Sequence, residues 1–264
     1  MSRWIRVIAL TVAVAAIAAC GFASAPASTS TTARPSAPQA QHDITGAVDV
    51  GGGRRMFVEC RGTGSQTVVL IAGKGNGAEW QQVLAPADPV HDTPGDDLAV
   101  GKGTIERNAK AVLPSIARFT RVCAYDRPDI RVTGADLSTP RQQPHTADLG
   151  VGDLHALLAA LGDPGPYVLV AHSYGGLIAE LYARTYPRDV AGLAMVDTVT
   201  PRIEDVASLA KLANWDAHNA ATSPQVREGV RLIDAFQQID AAPPMPQVPA
   251  VVLYADKPWP QPTC

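Results

Sequence analysis

The segment Tyr167-Val168-Leu169-Val170-Ala171-His172-Ser173-Tyr174-Gly175-Gly176 constrains the fold more than any other part of this 264-residue chain. The apolar run Tyr167 to Ala171 reads as a strand, and Gly176 to Tyr186, stopped before Pro187, reads as the helix that follows. Few residues separate the two, so the backbone must bend sharply at Ser173. The small residues two before it (Ala171) and two after it (Gly175) let strand and helix come close together. Such a bend pushes the serine hydroxyl out at the end of the strand, beside the free amides of the helix start. A serine that is to become an alkoxide next to a developing oxyanion needs that setting. A plain alternative is a serine that caps an ordinary helix.

Elsewhere strands alternate with helices. Ala47 to Val50 and Arg55 to Cys60 read as a hairpin around Gly51-Gly52-Gly53. Thr67 to Ala72, Arg121 to Tyr125, Val190 to Val196 and Ala250 to Tyr254 are further strands, and the unbroken apolar run Val68-Val69-Leu70-Ile71 fits a sheet covered on both faces. Leu154, Leu157, Leu158 and Leu161 form one helical stripe, closed by Gly162 and Pro164. Ser223-Pro224 resembles an N-cap and first turn for a helix carrying Val226, Val230, Ile233 and Phe236. The pattern is that of an α/β fold with a mainly parallel sheet, interrupted over residues 201–248 by a small helical insertion placed to cover the strand ends.

The N-terminus belongs to a different layer of organisation. Arg3 and Arg6 precede the apolar run Val7 to Ala18, which is short for a membrane span and right for the core of an export signal. Ile17-Ala18-Ala19-Cys20 resembles the lipobox of bacterial lipoproteins. The reading is a signal peptide over residues 1–20, lipidation at Cys20 and anchoring to the outer face of the membrane. The alternative is an ordinary signal peptide cut near Ala23 or Ala25 and a secreted protein. Residues 21–43 are rich in Ala, Ser, Thr and Pro and read as a flexible tether. The domain then runs from 44 to 264. Exported cysteines meet an oxidising environment, so Cys60 and Cys123 are either paired or buried free thiols, and Cys264 is left without a partner.

Composition narrows the class. The chain is 46% hydrophobic and 18% charged with a formal net charge of −3. This excludes a disordered protein and gives no basic footprint for nucleic acid. No cofactor motif and no paired metal-ligand spacing occurs. Gly101-Lys102 is not a phosphate loop, since Asp96 stands where its first glycine belongs.

The elbow, together with Val68 to Trp80 (VVLIAGKGNGAEW), Arg121 to Arg127 (RVCAYDR), residues 153–162 and Val190 to Asp197 (VAGLAMVD), resembles the α/β-hydrolase family over roughly residues 44–256. In this likeness Ala171 replaces the first glycine of G-x-S-x-G. The resemblance implies strand order 1-2-4-3-5-6-7 in chain count, with an eighth strand and a last helix beyond Cys264. In that order strands 2 and 4 are neighbours, which favours a Cys60–Cys123 bridge. It also implies Ser173 as nucleophile, the Tyr174 amide as one oxyanion donor, and Lys74 or Gly75 as the other. The acid falls on Asp256, after the seventh strand, or on Asp197, after the sixth.

The family places its histidine after the eighth strand, and none of His42, His91, His145, His155, His172 and His218 stands there. The resemblance therefore implies an exported serine hydrolase of the ester, lipid or amide class, acting on a small molecule and impaired by truncation. The alternatives are an inactive binding lipoprotein that kept the fold, and a gene fragment.

Overall fold

A computed structural model describes residues 41–77, 79–85, 104–131, 135–224 and 226–254. The signal segment, Cys20, most of the tether, Gly101-Lys102, Asp256 and Cys264 lie outside the described residues.

Among the described residues the main sheet has seven strands: β1 (Ile44–Gly51), β2 (Arg54–Arg61), β3 (Val68–Ile71), β6 (Val122–Tyr125), β7 (Tyr167–His172), β8 (Val190–Val196) and β9 (Ala250–Leu253). Their order across the sheet is β1-β2-β6-β3-β7-β8-β9. Counting only these seven, this is the order 1-2-4-3-5-6-7 that the family resemblance implied. β1, β2 and β6 pair antiparallel, and β6, β3, β7, β8 and β9 pair in parallel. Sequence reading did not separate a second, two-stranded sheet, β4 (Gln82–Ala85) with β5 (Thr104–Arg107).

Both faces of the sheet are covered, which is why β3 has no polar residue to alternate with its apolar ones. Val69 and Ile71 enter one core, with α2 (Ala147–Leu161), α3 (Gly175–Thr185) and α5 (Leu232–Ala241), and Val68 and Leu70 enter another, with Trp80 and with Leu113 of α1 (Val112–Ile116). The stripe Leu154, Leu157 and Leu158 is buried as its spacing required, and α2 ends where Gly162 turns to φ +67°. β9 differs from the other strands: Val251, Val252 and Leu253 are 56%, 65% and 55% exposed. Among the described residues it pairs with β8 alone, at the sheet edge. Among the described residues no helix is long and apolar enough to cross a membrane.

The insertion contains a 3-10 segment (Pro201–Asp205), α4 (Leu209–Ala220) and α5. Two expectations about it need correcting. Ser223 does not start a helix. Its hydroxyl accepts the Val226 N–H and its own N–H returns to the Val226 carbonyl, which closes a tight turn. The helix starts at Leu232, because Asp216 on α4 accepts the amides of Leu232 and Ile233 at 2.7 and 3.0 Å, caps supplied from a different helix. Nor does the whole insertion lie over the strand ends. α5 buries Leu232, Ala235, Phe236 and Ile239 against α2 and α3, as part of the helical layer.

Cys60 and Cys123 face each other in the register of β2 and β6, and their sulfurs are bonded. The bridge spans 63 residues, a loop length for which the chain-entropy argument gives stabilisation of about 4 kcal/mol. A non-reduced digest should yield the two peptides linked, and Cys60→Ala with Cys123→Ala should melt several degrees lower. Recovery of two free thiols from the native protein would contradict the bridge.

Candidate active site

β7 delivers its chain straight into α3, and the junction is strained where the sequence required it. Ser173 has φ +49°, in the left-handed region that a non-glycine residue occupies at a cost of about 1–3 kcal/mol. The strain is held by its surroundings. The Ser173 N–H donates to the Val196 carbonyl at 3.3 Å, and the Ser173 carbonyl accepts the Val199 N–H at 3.2 Å and the Gly176 N–H at 3.0 Å. The serine is half-buried at the strand end, while Tyr174 and Gly175 behind it are buried.

Two glycines make the packing possible. A Cβ on Gly175 would stand 2.5 Å from the Ile71 carbonyl oxygen and 2.7 Å from that of Ala72. On Gly73 it would stand 2.9 Å from His172 Nδ1 and 3.3 Å from the Ser173 Cβ. The loop after β3 therefore lies directly against the elbow.

Charged side chains that sequence reasoning missed hold this loop. The Gly73 N–H donates to Glu79 Oε1 at 2.8 Å, and the other oxygen of Glu79 meets His172 Nδ1 at 2.9 Å. The Gly75 N–H donates to Glu228 Oε2 at 2.7 Å. Arg127 donates to Glu228 through Nε at 2.7 Å, to the Ala72 carbonyl at 2.7 Å and to the Gly73 carbonyl at 3.0 Å. Of the two loop amides expected as oxyanion donors, Gly75 is thus already engaged. The amides of Lys74 and Tyr174 make no hydrogen bond with the described residues. Burial pulls the Lys74 ammonium below its ordinary value, against the attraction of Glu228.

Asp197 stands in the turn whose neighbours, Val196 and Val199, brace Ser173. It has φ +43° and donates its N–H to the Leu253 carbonyl at 2.6 Å. Its charge also reaches His172, whose proton affinity is raised first by the hydrogen bond to Glu79 and further by the charges of Glu79 and Asp197, against burial. The other described histidine side chains are engaged elsewhere or face outward. His155 stacks on Tyr186 at 3.9 Å, His145 is buried with its Nε2 2.8 Å from the Gln143 amide, and His218 is exposed on α4. The group Cys60, Cys123 and Asp163 brings metal-type ligand atoms within 4.8 Å of one another, but its two sulfurs are joined to each other.

Because His172 titrates higher in the folded state, its pair with Glu79 contributes fully below the unfolded value of about 6.5 and fades as pH rises through the raised folded one. Glu79→Gln should therefore lower the melting temperature most at mildly acidic pH, with the gap to the native protein narrowing towards pH 8. A gap that stays constant across that range would remove the ion pair from the account.

This sheet order, with a serine elbow at the end of its central β7, defines an α/β-hydrolase. The profile of the alpha/beta hydrolase fold matches residues 99–241, and the chain belongs to that family. It is 30% identical over 129 residues to the uncharacterized protein YqjL of Bacillus subtilis, a match covering 49% of this chain and 47% of YqjL. It is 40% identical over 78 residues to the lipase LipV of Mycobacterium tuberculosis, covering 28% of this chain and 30% of that one. Among solved structures, a thermophilic esterase from Thermogutta terrifontis aligns with TM-score 0.42 and 21% identity, over 67% of this chain and 52% of the esterase. The chain thus spans less than half the length of these two curated relatives.

Proposed function

We propose that the protein is a serine hydrolase of the ester, lipid or amide class with Ser173 as nucleophile, and that its turnover is low in this form. The observation that carries the reading is the left-handed backbone of Ser173 at a strand–helix junction, pressed against a glycine loop. Strain of this kind persists only where its surroundings over-determine it, and it gathers at functional sites. In the reaction, Ser173 Oγ attacks the acyl carbon and gives its proton to a base. The carbonyl electrons move onto oxygen, where the Tyr174 and Lys74 amides receive the charge. The alcohol or amine departs with a proton, and water then releases the acid and restores the serine. Asp197 is the acid that the described residues offer beside the elbow, and Asp256 is its rival. Among the described residues none is assigned the role of base, which is the ground for proposing a low turnover.

A tagged fluorophosphonate should form one adduct per chain, at Ser173, faster when imidazole is supplied as an external base. An adduct elsewhere, or none, would sink the hydrolase reading. Brisk unaided turnover of a short-chain p-nitrophenyl ester would instead overturn the impaired state alone. The second reading, a binding protein that kept the fold, is favoured only if substrate analogues bind and no adduct forms.

We also propose export and anchoring through a lipid on Cys20, supported by Arg3, Arg6, the apolar run and the small residues before the cysteine. Cys20→Ser should move the protein from the membrane fraction to the soluble one. Unchanged partitioning would reject the anchor.

A further inference from the structure

Glu228 is fully buried, yet it comes from the insertion, between α4 and α5, and reaches the loop after β3. Its partner Arg127 is also buried, follows β6, and lies 5.4 Å from the Tyr174 ring centroid. Between them the two side chains make five contacts that matter for one peptide group. Glu228 accepts Arg127 Nε at 2.7 Å and Nη2 at 3.1 Å, and takes the Gly75 N–H at 2.7 Å. Arg127 in turn holds the carbonyls of Ala72 and Gly73 at 2.7 and 3.0 Å.

A trans peptide is planar, with its C=O and N–H on opposite sides. Pinning the Gly73 carbonyl to Arg127 therefore turns the Lys74 N–H away from Arg127. The amides on either side are tied down as well, Gly73 to Glu79 and Gly75 to Glu228, so the 73–74 peptide cannot flip without breaking this set. We propose that Arg127 and Glu228 are positioning residues that hold the Lys74 amide preorganised for the acyl oxygen, so that the insertion participates in forming the oxyanion hole. The inference rests on the hydrolase reading. A buried ion pair is a poor choice for stability alone, because desolvation offsets much of its attraction, whereas fixed donors aimed at developing charge are worth most in such a dry setting.

The test uses the full chain with imidazole and a p-nitrophenyl ester, and compares kcat and KM for the native protein, Glu228→Gln, Arg127→Lys and Asp216→Asn. Glu228→Gln should lower kcat at least ten-fold with KM changed less than three-fold. Arg127→Lys, which keeps the charge but not the fork on two carbonyls, should do the same. Asp216→Asn loosens the α5 cap without touching the loop, so it should lower the melting temperature and leave kcat within two-fold. If Glu228→Gln does not fold, Arg127→Lys decides on the same criterion. An active native protein whose Glu228→Gln or Arg127→Lys variant keeps full kcat overturns the positioning role and leaves the hydrolase reading standing. A native protein with neither turnover nor a Ser173 adduct overturns both.

Discussion

Ser173→Ala should abolish the fluorophosphonate adduct and bring imidazole-supported ester turnover down to the rate of buffer. In a complete triad enzyme the loss on removing the serine is of the order of 10⁶. On the low turnover proposed above, the measured drop is limited by background. The informative part is the comparison with stability. Alanine at φ +49° is as strained as serine, so Ser173→Ala should melt within about 2 °C of the native protein. Ser173→Gly removes the strain and should melt higher, by roughly 2–4 °C for each kcal/mol relieved. Loss of reaction with a gain in stability would mark the bend as kept for chemistry. A Ser173→Ala protein that still forms the adduct would remove the nucleophile from this position.

Gly175→Ala is the change expected to damage the fold most at the site. The added methyl would meet two backbone oxygens, those of Ile71 and Ala72, at 2.5 and 2.7 Å. Backbone cannot move aside as a side-chain rotamer can. α3 and β3 must separate, and overpacking of this kind costs typically about 1–3 kcal/mol or more. A fall in melting temperature of roughly 3–10 °C follows for a domain of this size, together with loss of the Ser173 adduct, because the loop and the elbow move apart. Gly176→Ala is a useful contrast. Its methyl would run into Thr198 Cβ at 2.4 Å and Cγ2 at 2.5 Å, so Thr198→Gly, which removes both atoms, should recover stability that Thr198→Ala, which keeps the Cβ, does not. No such partner exists for Gly175, and a Gly175→Ala protein with native melting would refute the close-packing account.

Much of the sheet was legible because its signals are local. Unbroken apolar runs, glycines and prolines at the ends of elements, and a leucine stripe each report on their own few residues. The elbow was legible for the same reason, since strand, serine and small flanking residues are contiguous. Glu228 was not legible. It lies 101 residues from Arg127 and 153 from Gly75, in a stretch whose Ser-Pro start imitates a helix. Its burial depends on a partner that no spacing pattern could name. Arg127 carried a weak signal, a charge at the end of a buried strand. The partner of His172 was equally hidden. The Glu79 carboxylate that engages it comes from 93 residues earlier. The pairing of β4 with β5 escaped because each strand is only four residues long, and β5 carries Glu106 and Arg107.

The bracing of Ser173 by Val196 and Val199 has a consequence for how the site comes into being. Neither Ser173 nor Asp197 favours a left-handed backbone in an isolated chain, and each is held in it by bonds to neighbouring strands or the turn that joins them. The bent geometry at Ser173 therefore cannot precede the docking of β7 on β8. If Ser173 is the nucleophile proposed above, a nascent or partly unravelled molecule has the serine without its bend, and labelling at 173 should report completed assembly.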